Sequence, residues 1–205
     1  GYSSLVGPQG VQTHFPDIST EHQVVPNGVD CTFWDFSKVE KRPIQFITVM
    51  DKKQFLRRDG NSLIEFFRNS SNCNLTIVGS VPKDIDLPKN ITIKPWMKSN
   101  ELKALFCSSN YYIQLSLYEG FGCSMTEAMA CGCIPIGTKV NAVSDIIGDT
   151  GLVIEQQTQV ATEISAFLTS EITEEMQISA RNRIKNQYNL SQRESALNQL
   201  IASIE

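Results

Sequence analysis

Short runs of apolar and β-branched residues recur along the chain, and stretches with apolar residues at helical spacing separate them. The short runs predict β-strands and the longer stretches predict amphipathic helices. The predicted strands span residues 44–50, 75–78, 90–93, 111–115, 133–137 and 151–154. The predicted helices include 61–69, 100–108 capped by Ser99, 124–131, one capped by Thr173, and a final helix opened by a capping box at 191–194. This alternation predicts an α/β fold with a mostly parallel sheet and helices on both of its faces.

One segment combines a buried strand, a glycine loop and the start of a helix. The strand 111–115 is followed by Glu119-Gly120-Phe121-Gly122, and the helix 124–131 is rich in Met, Ala and Glu. The first N–H groups of a helix have no partner within the helix and carry the positive end of its dipole. Glycines let the backbone approach a ligand closely. The backbone from Gly120 through Phe121, Gly122, Cys123 and Ser124 is therefore a candidate phosphate cradle.

Two carboxylates flank this candidate cradle. Glu119 lies on the loop, and Glu127 lies about one turn into the helix. A carboxylate accepts hydrogen bonds from vicinal hydroxyls, so a phosphate cradle with two such acceptors suits a nucleotide-sugar. The alternative is an ordinary glycine turn with two solvated Glu side chains, and the spacing alone leaves both interpretations open.

The wider segment resembles a known family. Its Glu-x7-Glu block begins with Glu-Gly-Phe-Gly and ends with Glu-Ala-Met-Ala-Cys-Gly. It resembles the retaining glycosyltransferases often called group 1, which have the GT-B fold and carry this motif in their C-terminal, donor-binding domain. The following Ile-Pro-Ile-Gly at 134–137 looks like that family's next strand, and Val-Pro-Asn-Gly-Val-Asp at 25–30 looks like its approach to the domain. The resemblance covers residues 24–205, and residues 1–23 form an irregular segment that leads into the domain.

The resemblance implies one half of a GT-B fold, a Rossmann-like domain that binds the nucleoside diphosphate sugar. The whole enzyme would transfer the sugar to an acceptor hydroxyl with retention of the anomeric configuration. The resemblance also implies that Glu127 holds the ribose hydroxyls and that Glu119 holds hydroxyls of the transferred sugar. Trp96 and Met97 follow the strand 90–93 and resemble the family's base-binding site, although plain hydrophobic burial explains Trp96 equally well.

The loop after the first predicted strand is basic. Lys52, Lys53, Arg57 and Arg58 lie within ten residues, at the end of a parallel strand where ligands bind in open sheets. The family places an Arg and a Lys about five residues apart at this point, so Lys53 and Arg58 are the predicted diphosphate contacts and catalytic cations. Lys52 and Arg57 have the same spacing, and a solvated charged loop is the other possibility. Asp59 stands where the family has Lys before Gly60, which leaves open which cation reaches the phosphates.

Composition narrows the possible partners. The chain has 205 residues and a net charge of −4, which argues against a nucleic-acid surface. No apolar run approaches the ~20 residues of a membrane-spanning helix. The six cysteines form no Cys-x-x-Cys pair, so we expect no structural zinc, and we also expect no divalent cation as cofactor. Reduced cysteines favour the cytoplasm.

The sequence leaves two functional alternatives. They are a nucleotide-sugar epimerase on the same architecture and a non-catalytic domain that binds nucleotide-sugars.

The chain begins with Gly1, and we expect it to be part of a longer protein whose N-terminal domain supplies the rest of the active site. Alone it should bind donor without transferring sugar. The family suggests a glycan or lipid-linked acceptor, polysaccharide biosynthesis, and contact with the inner face of the membrane through the missing domain. The sequence does not distinguish UDP, GDP and ADP.

Overall fold

Six parallel strands form the sheet in the part of the chain that the structure describes. The computed structural model describes residues 24–35, 44–155 and 157–203, so the predicted segment 1–23 lies outside the described residues. The strands are β1 (Gln45–Met50), β2 (Asn74–Gly79), β3 (Ile91–Lys94), β4 (Tyr111–Gln114), β5 (Ile134–Thr138) and β6 (Leu152–Ile154). The helices are α1 (Gly60–Arg68), α2 (Ser99–Cys107), α3 (Cys123–Ala130), α4 (Ala142–Ile147), α5 (Val160–Phe167), α6 (Glu174–Gln187) and α7 (Leu190–Ala202).

The strand order is β3-β2-β1-β4-β5-β6, and every pairing between neighbouring strands is parallel. The chain builds outward from β1 in one direction and then returns to place β4 on its other side. The order therefore reverses between β1 and β4, and the helices that follow these two strands, α1 and α3, pack on opposite faces of the sheet. A crevice opens at such a reversal, beyond the carboxyl ends of the strands, and it is where ligands bind in this architecture.

Helices cover both faces of the sheet. Alternate residues of a strand point to opposite faces, so Phe46 and Tyr111 pack with α1 and α5, whereas Ile47 and Tyr112 pack with α2, α3, α4 and α6. The rings of Phe46 and Tyr111 stack across the β1–β4 pair with centroids 4.8 Å apart. Each face therefore has its own apolar core, and the predicted α/β architecture is confirmed.

Two helices begin differently from the sequence prediction. The final helix starts at Leu190, because the side chain of Asn189 accepts a hydrogen bond from the Gln192 N–H at 2.8 Å and caps the helix ahead of the predicted box. Ser99 is the first residue of α2 rather than its cap, and Glu101 accepts a hydrogen bond from the Lys98 N–H. The predicted cap at Thr173 is confirmed, since its hydroxyl accepts from the Met176 N–H.

The segment 24–35 is attached at the corner between α6 and α7. The Val29 N–H donates to the Tyr188 carbonyl at 2.7 Å, and the Leu190 N–H donates to the Val29 carbonyl. Arg193 donates to the carbonyl of Pro26 at 2.8 Å. These contacts bring residues 26–28 towards the start of α3, where the candidate cradle lies.

Candidate functional site

The loops after β1 and β4 meet at the strand-order reversal. The Leu117 N–H donates to the Arg57 carbonyl at 2.8 Å, which joins the basic β1–α1 loop to the β4–α3 loop that carries Glu119. Asp51 shapes the start of the basic loop, because its carboxylate accepts from the backbone N–H groups of Lys53 and Gln54. The cations and the glycine loop that the sequence singled out are therefore neighbours in space.

Glu119 is buried and bound by two arginines. Its side chain is 10% exposed, and its two oxygens accept from Arg57 Nη1 and Arg58 Nη2, each at 3.1 Å. Gln114 Nε2 donates to the second oxygen at 3.1 Å, and the Gly120 N–H donates to the first at 3.0 Å. These four donors hold the carboxylate in a single orientation at the carboxyl end of β4.

The four predicted cations occupy very different environments. Arg58 is buried, and its guanidinium also donates to the Val49 carbonyl at 2.8 Å and to Gln114 Oε1 at 3.1 Å. The Arg57 side chain is 21% exposed and lies 5.8 Å from the centroid of the Tyr118 ring. Lys52 and Lys53 are exposed, and no ion pair within the described ranges involves either of them. The structure thus brings Arg58 onto Glu119 and leaves Lys53 at the surface.

The glycine loop ends where α3 begins. Gly122 precedes the helix with φ of 95°, a conformation that favours glycine, and the nearest atoms to a Cβ built on it lie 3.8 Å away. A Cβ there would be in ordinary van der Waals contact with Gln114 and Met125, and Gly122 lies directly before the first amide groups of α3. Phe121 is buried and its ring packs against that of Tyr188, so it anchors the loop, whereas Gly120 and Ser124 are half-buried.

Cys123 is the first residue of α3 and its side chain is exposed. Its sulfur accepts a hydrogen bond of 3.7 Å from the Asn27 side-chain amide, so the segment 24–35 borders the candidate cradle. Partial desolvation of the sulfur, together with the nearby Glu127 and Glu119 charges, raises the pKa of this thiol. The thiol is therefore mostly protonated at neutral pH.

Glu127 is a half-buried carboxylate one turn into α3. Burial raises its pKa from the usual 4.5 to about 7. No hydrogen bond or ion pair to its side chain is present among the residues that the structure describes, in contrast to Glu119 with its four donors. A partly desolvated carboxylate without partners is costly for a folded protein, and a ligand with hydroxyl groups would offset that cost.

Trp96 and Met97 follow β3 at the same edge of the sheet. Trp96 is 58% exposed, so burial in a core does not account for it. Its indole lies beside the end of β2, since a Cβ built on Gly79 would lie 3.3 Å from Trp96 Cζ2. Met97 is partly buried and packs against the core on the α2–α3 face. An exposed, supported aromatic ring at this edge offers a surface for a planar base.

Two further residues take part in this site that the sequence prediction did not include. Gln114 ends β4 and links Arg58 to Glu119, and its only signal in the sequence is a polar residue within an apolar strand run. Asn141 precedes α4, and its side-chain amide donates to the Glu119 carbonyl. Nothing in the local sequence around Asn141 indicates that contact. A separate groove between α1 and α5 is lined by none of the predicted site residues.

The described ranges hold neither a cluster of three or more possible metal ligands nor a helix that could cross a membrane. No group of three or more His, Cys, Asp or Glu side chains there has the arrangement of a metal site. None of the helices in the same ranges has the length and apolar character needed to cross a membrane.

The sheet order and the site at its reversal define a doubly wound α/β domain. The sequence profile of the family Glycosyl transferases group 1 matches residues 40–188, which is most of the chain. The chain therefore belongs to this family, as the Glu-x7-Glu block predicted.

Solved structures and a curated relative are similar to this chain. Sucrose-phosphate synthase from Thermosynechococcus elongatus matches 96% of the chain with a TM-score of 0.79 at 17% identity. The C-terminal domain of a glycosyl transferase group 1 family protein from Francisella tularensis matches 80% of the chain over its own full length, with a TM-score of 0.62 at 21% identity. N-acetyl-alpha-D-glucosaminyl L-malate synthase from Bacillus anthracis is 36% identical over 90 residues, which is 40% of this chain.

These likenesses confirm the fold and define how much of it the chain contains. At such identities the structural matches show the fold alone, which is one Rossmann-like half of a GT-B fold. The chain spans 56% of the sucrose-phosphate synthase chain, and its match covers 24% of the Bacillus anthracis relative.

Proposed function

We propose that this chain is the donor-binding domain of a retaining glycosyltransferase. The enzyme would move a sugar from a nucleoside diphosphate to an acceptor hydroxyl and keep the anomeric configuration. The observation that carries this proposal is Glu127, a half-buried carboxylate with a pKa of about 7, one turn from the glycine-bounded start of α3. This arrangement places an acceptor for a hydroxyl pair about one helical turn from a site for phosphate.

Each part of the donor has a proposed partner at this edge of the sheet. The ribose hydroxyls bind Glu127, and the diphosphate lies over Gly122 at the amide groups of Cys123 and Ser124. The base lies against Trp96 and Met97, because the exposed indole offers a flat face. Glu119 faces the transferred sugar from the β4–α3 loop.

The chemistry needs stabilisation of the leaving nucleoside diphosphate. Negative charge develops on its phosphates as the bond to the sugar breaks, and preorganised donors in a dry site stabilise such charge. The start of α3 and the cations of the basic loop, with Lys53 exposed on that loop, supply positive charge. We therefore propose a reaction without a metal or other cofactor, in which the protein itself neutralises the diphosphate.

The rest of the enzyme is also part of the proposal. A second domain would close the cleft over the donor, exclude water and bring a glycan or lipid-linked acceptor to the sugar. The chain covers 56% of the sucrose-phosphate synthase chain, and its match covers 24% of the Bacillus anthracis relative. These shares support a longer whole protein. We propose that it works in the cytoplasm, at the inner face of the membrane, in polysaccharide biosynthesis.

Calorimetric titration of the 205-residue chain tests donor binding. The titrants are UDP-glucose, UDP-N-acetylglucosamine, GDP-mannose and ADP-glucose, each compared with its parent nucleoside diphosphate. We expect one nucleotide series to bind and no transfer to water or to simple glycosides. If none of the four nucleotide-sugars binds, the proposal fails.

Adding the missing domain, fused or in trans, tests the reaction. Activity should appear with retained configuration at the anomeric carbon, which NMR of the product reports. An inverted product would contradict the retaining mechanism. Epimerised nucleotide-sugar would support the epimerase, and binding without turnover in the complete protein would support a non-catalytic domain.

A further inference from the structure

All acceptor positions of Glu119 are occupied by the protein itself. A carboxylate offers about four such positions, two on each oxygen. Oε1 accepts from Arg57 Nη1 at 3.1 Å and from the Gly120 N–H at 3.0 Å. Oε2 accepts from Arg58 Nη2 and from Gln114 Nε2, both at 3.1 Å. A sugar hydroxyl can therefore donate to Glu119 only after one of these donors leaves.

The two arginines differ in their freedom to leave. Arg58 is 8% exposed in its side chain and is also held by the Val49 carbonyl and by Gln114 Oε1. Removing it from these partners would leave several buried polar groups unsatisfied. The Arg57 side chain is 21% exposed, and among the described residues it otherwise contacts the Tyr118 carbonyl at 3.3 Å and the face of the Tyr118 ring. Its release costs much less, because water replaces those contacts.

The backbone also favours movement of Arg57 alone. Its carbonyl is fixed by the Leu117 N–H, so the backbone stays in place while the long side chain rotates. Gln114 Nε2, which binds the same carboxylate, lies 3.8 Å from a Cβ built on Gly122. The Glu119 carboxylate is therefore a short distance from the start of α3, within reach of a rotating guanidinium.

We propose that Arg57 leaves Glu119 for the diphosphate of the donor and thereby frees Oε1 to accept a sugar hydroxyl. This exchange rests on the function proposed above. A nucleoside diphosphate alone breaks the Arg57–Glu119 ion pair and leaves one of the two acceptor positions of Oε1 empty, with the Gly120 N–H still bound at the other. An intact nucleotide-sugar supplies both the phosphate that Arg57 binds and the hydroxyl that replaces it. The ion pair thus makes the site favour intact donor over the spent nucleotide.

Glu119→Gln gives the sharpest test, because the exchange predicts effects of opposite sign. The variant no longer competes for Arg57, so the free nucleoside diphosphate should bind about three- to tenfold more tightly. The intact nucleotide-sugar should bind about tenfold more weakly, because its charged acceptor is gone. The titrants are UDP, GDP and ADP and their glucose, N-acetylglucosamine or mannose conjugates, whichever series the wild-type chain binds. Weaker or unchanged nucleoside diphosphate binding would overturn the exchange.

Arg57→Leu gives a second test that leaves Glu119 held by Arg58 and Gln114 and so protects the fold. Diphosphate affinity should fall about tenfold, and Glu119→Gln added to this variant should no longer improve it. Unchanged affinity in Arg57→Leu would show that Arg57 stays on Glu119 and would overturn the proposal.

Glu65 and Arg68 supply matched controls for these two substitutions, because they form an exposed ion pair of 3.6 Å on α1. Glu65→Gln and Arg68→Leu should leave both affinities unchanged. Equal effects of these controls would assign the changes to overall charge and overturn the exchange. Failure of the wild-type chain to bind any nucleotide would overturn the proposed function itself and the exchange with it.

Discussion

The side-chain amide of Asn141 donates a hydrogen bond of 2.5 Å to the backbone carbonyl of Glu119, 22 residues earlier in the chain. Asn141 has φ of 46° and ψ of −129°, a conformation that normally belongs to glycine. The strained backbone and the hydrogen bond to the Glu119 loop thus occur at the same residue. The β5–α4 connection thereby supports the segment on which Glu119 lies.

Two substitutions of Asn141 should separate the cost of its backbone strain from the stability that its hydrogen bond to Glu119 supplies. Asn141→Ala keeps the backbone strain and loses the hydrogen bond, so it should lower the free energy of unfolding by about 1–3 kcal/mol. Asn141→Gly loses the same bond but relieves the strain, and it should be the more stable variant by about 1 kcal/mol. Urea denaturation of both variants measures the difference. Equal stabilities would show that the Asn141 backbone is not strained.

Arg58 and Lys53 should behave oppositely when each is replaced by alanine. Arg58→Ala leaves Glu119 and Gln114 buried with fewer partners and should cost about 2–4 kcal/mol of unfolding free energy. Lys53→Ala removes an exposed side chain and should change stability by less than about 0.5 kcal/mol. It should nevertheless weaken diphosphate binding severalfold without affecting the nucleoside. Lys52→Ala is the matched control. Calorimetry measures diphosphate binding and urea denaturation measures stability. A loss of stability in Lys53→Ala but not in Arg58→Ala would contradict the prediction.

Glu127 should make stability depend on pH. Its pKa is about 7 when folded and about 4.5 when unfolded, so the folded state binds more protons between these values. Stability should therefore fall as pH rises from 4.5 to 7. The shift corresponds to roughly 3 kcal/mol, and solvent screening at this half-buried group reduces it to about 1 kcal/mol.

Glu127→Gln tests this dependence and the proposed ribose contact together. The variant should be more stable than wild type by about 1 kcal/mol at about pH 8, with the difference vanishing near the unfolded pKa. Both nucleoside diphosphate and intact donor should bind it about tenfold more weakly. Thermal denaturation across pH and calorimetry measure the two effects. A variant that is both more stable and a better binder would contradict the ribose contact.

Cys123 should report occupancy of the proposed phosphate site. Its thiol is exposed at the start of α3, whereas Cys31 is half-buried and the other four cysteines are buried. N-ethylmaleimide should modify it faster as pH rises, since the raised thiol pKa limits the thiolate at neutral pH. A bound nucleoside diphosphate should slow the reaction several-fold, as mass spectrometry of the modified peptide would show. Cys123→Ser identifies the signal, and equal rates with and without nucleotide would place the phosphates elsewhere.

The sequence by itself determined the elements and the place of the motif. Strand runs such as residues 44–50 and helical runs such as 61–69 were predicted because side-chain periodicity is local. The strand, glycine loop and helix around Glu119 and Glu127 could also be predicted from sequence, because the Glu-x7-Glu block lies within one contiguous segment.

Only the tertiary structure decided what each charged side chain touches. Arg57 and Arg58 are neighbours in sequence, yet Arg58 is buried and Arg57 is partly exposed, because the loop between β1 and α1 turns and faces β4. Asn141 reaches Glu119 because β4 and β5 lie side by side in the sheet. The exposed position of Trp96 likewise follows from the edge on which β3 ends. These contacts join residues distant in sequence, and spacing along the chain carries no information about which atoms the folded loops bring within hydrogen-bonding distance.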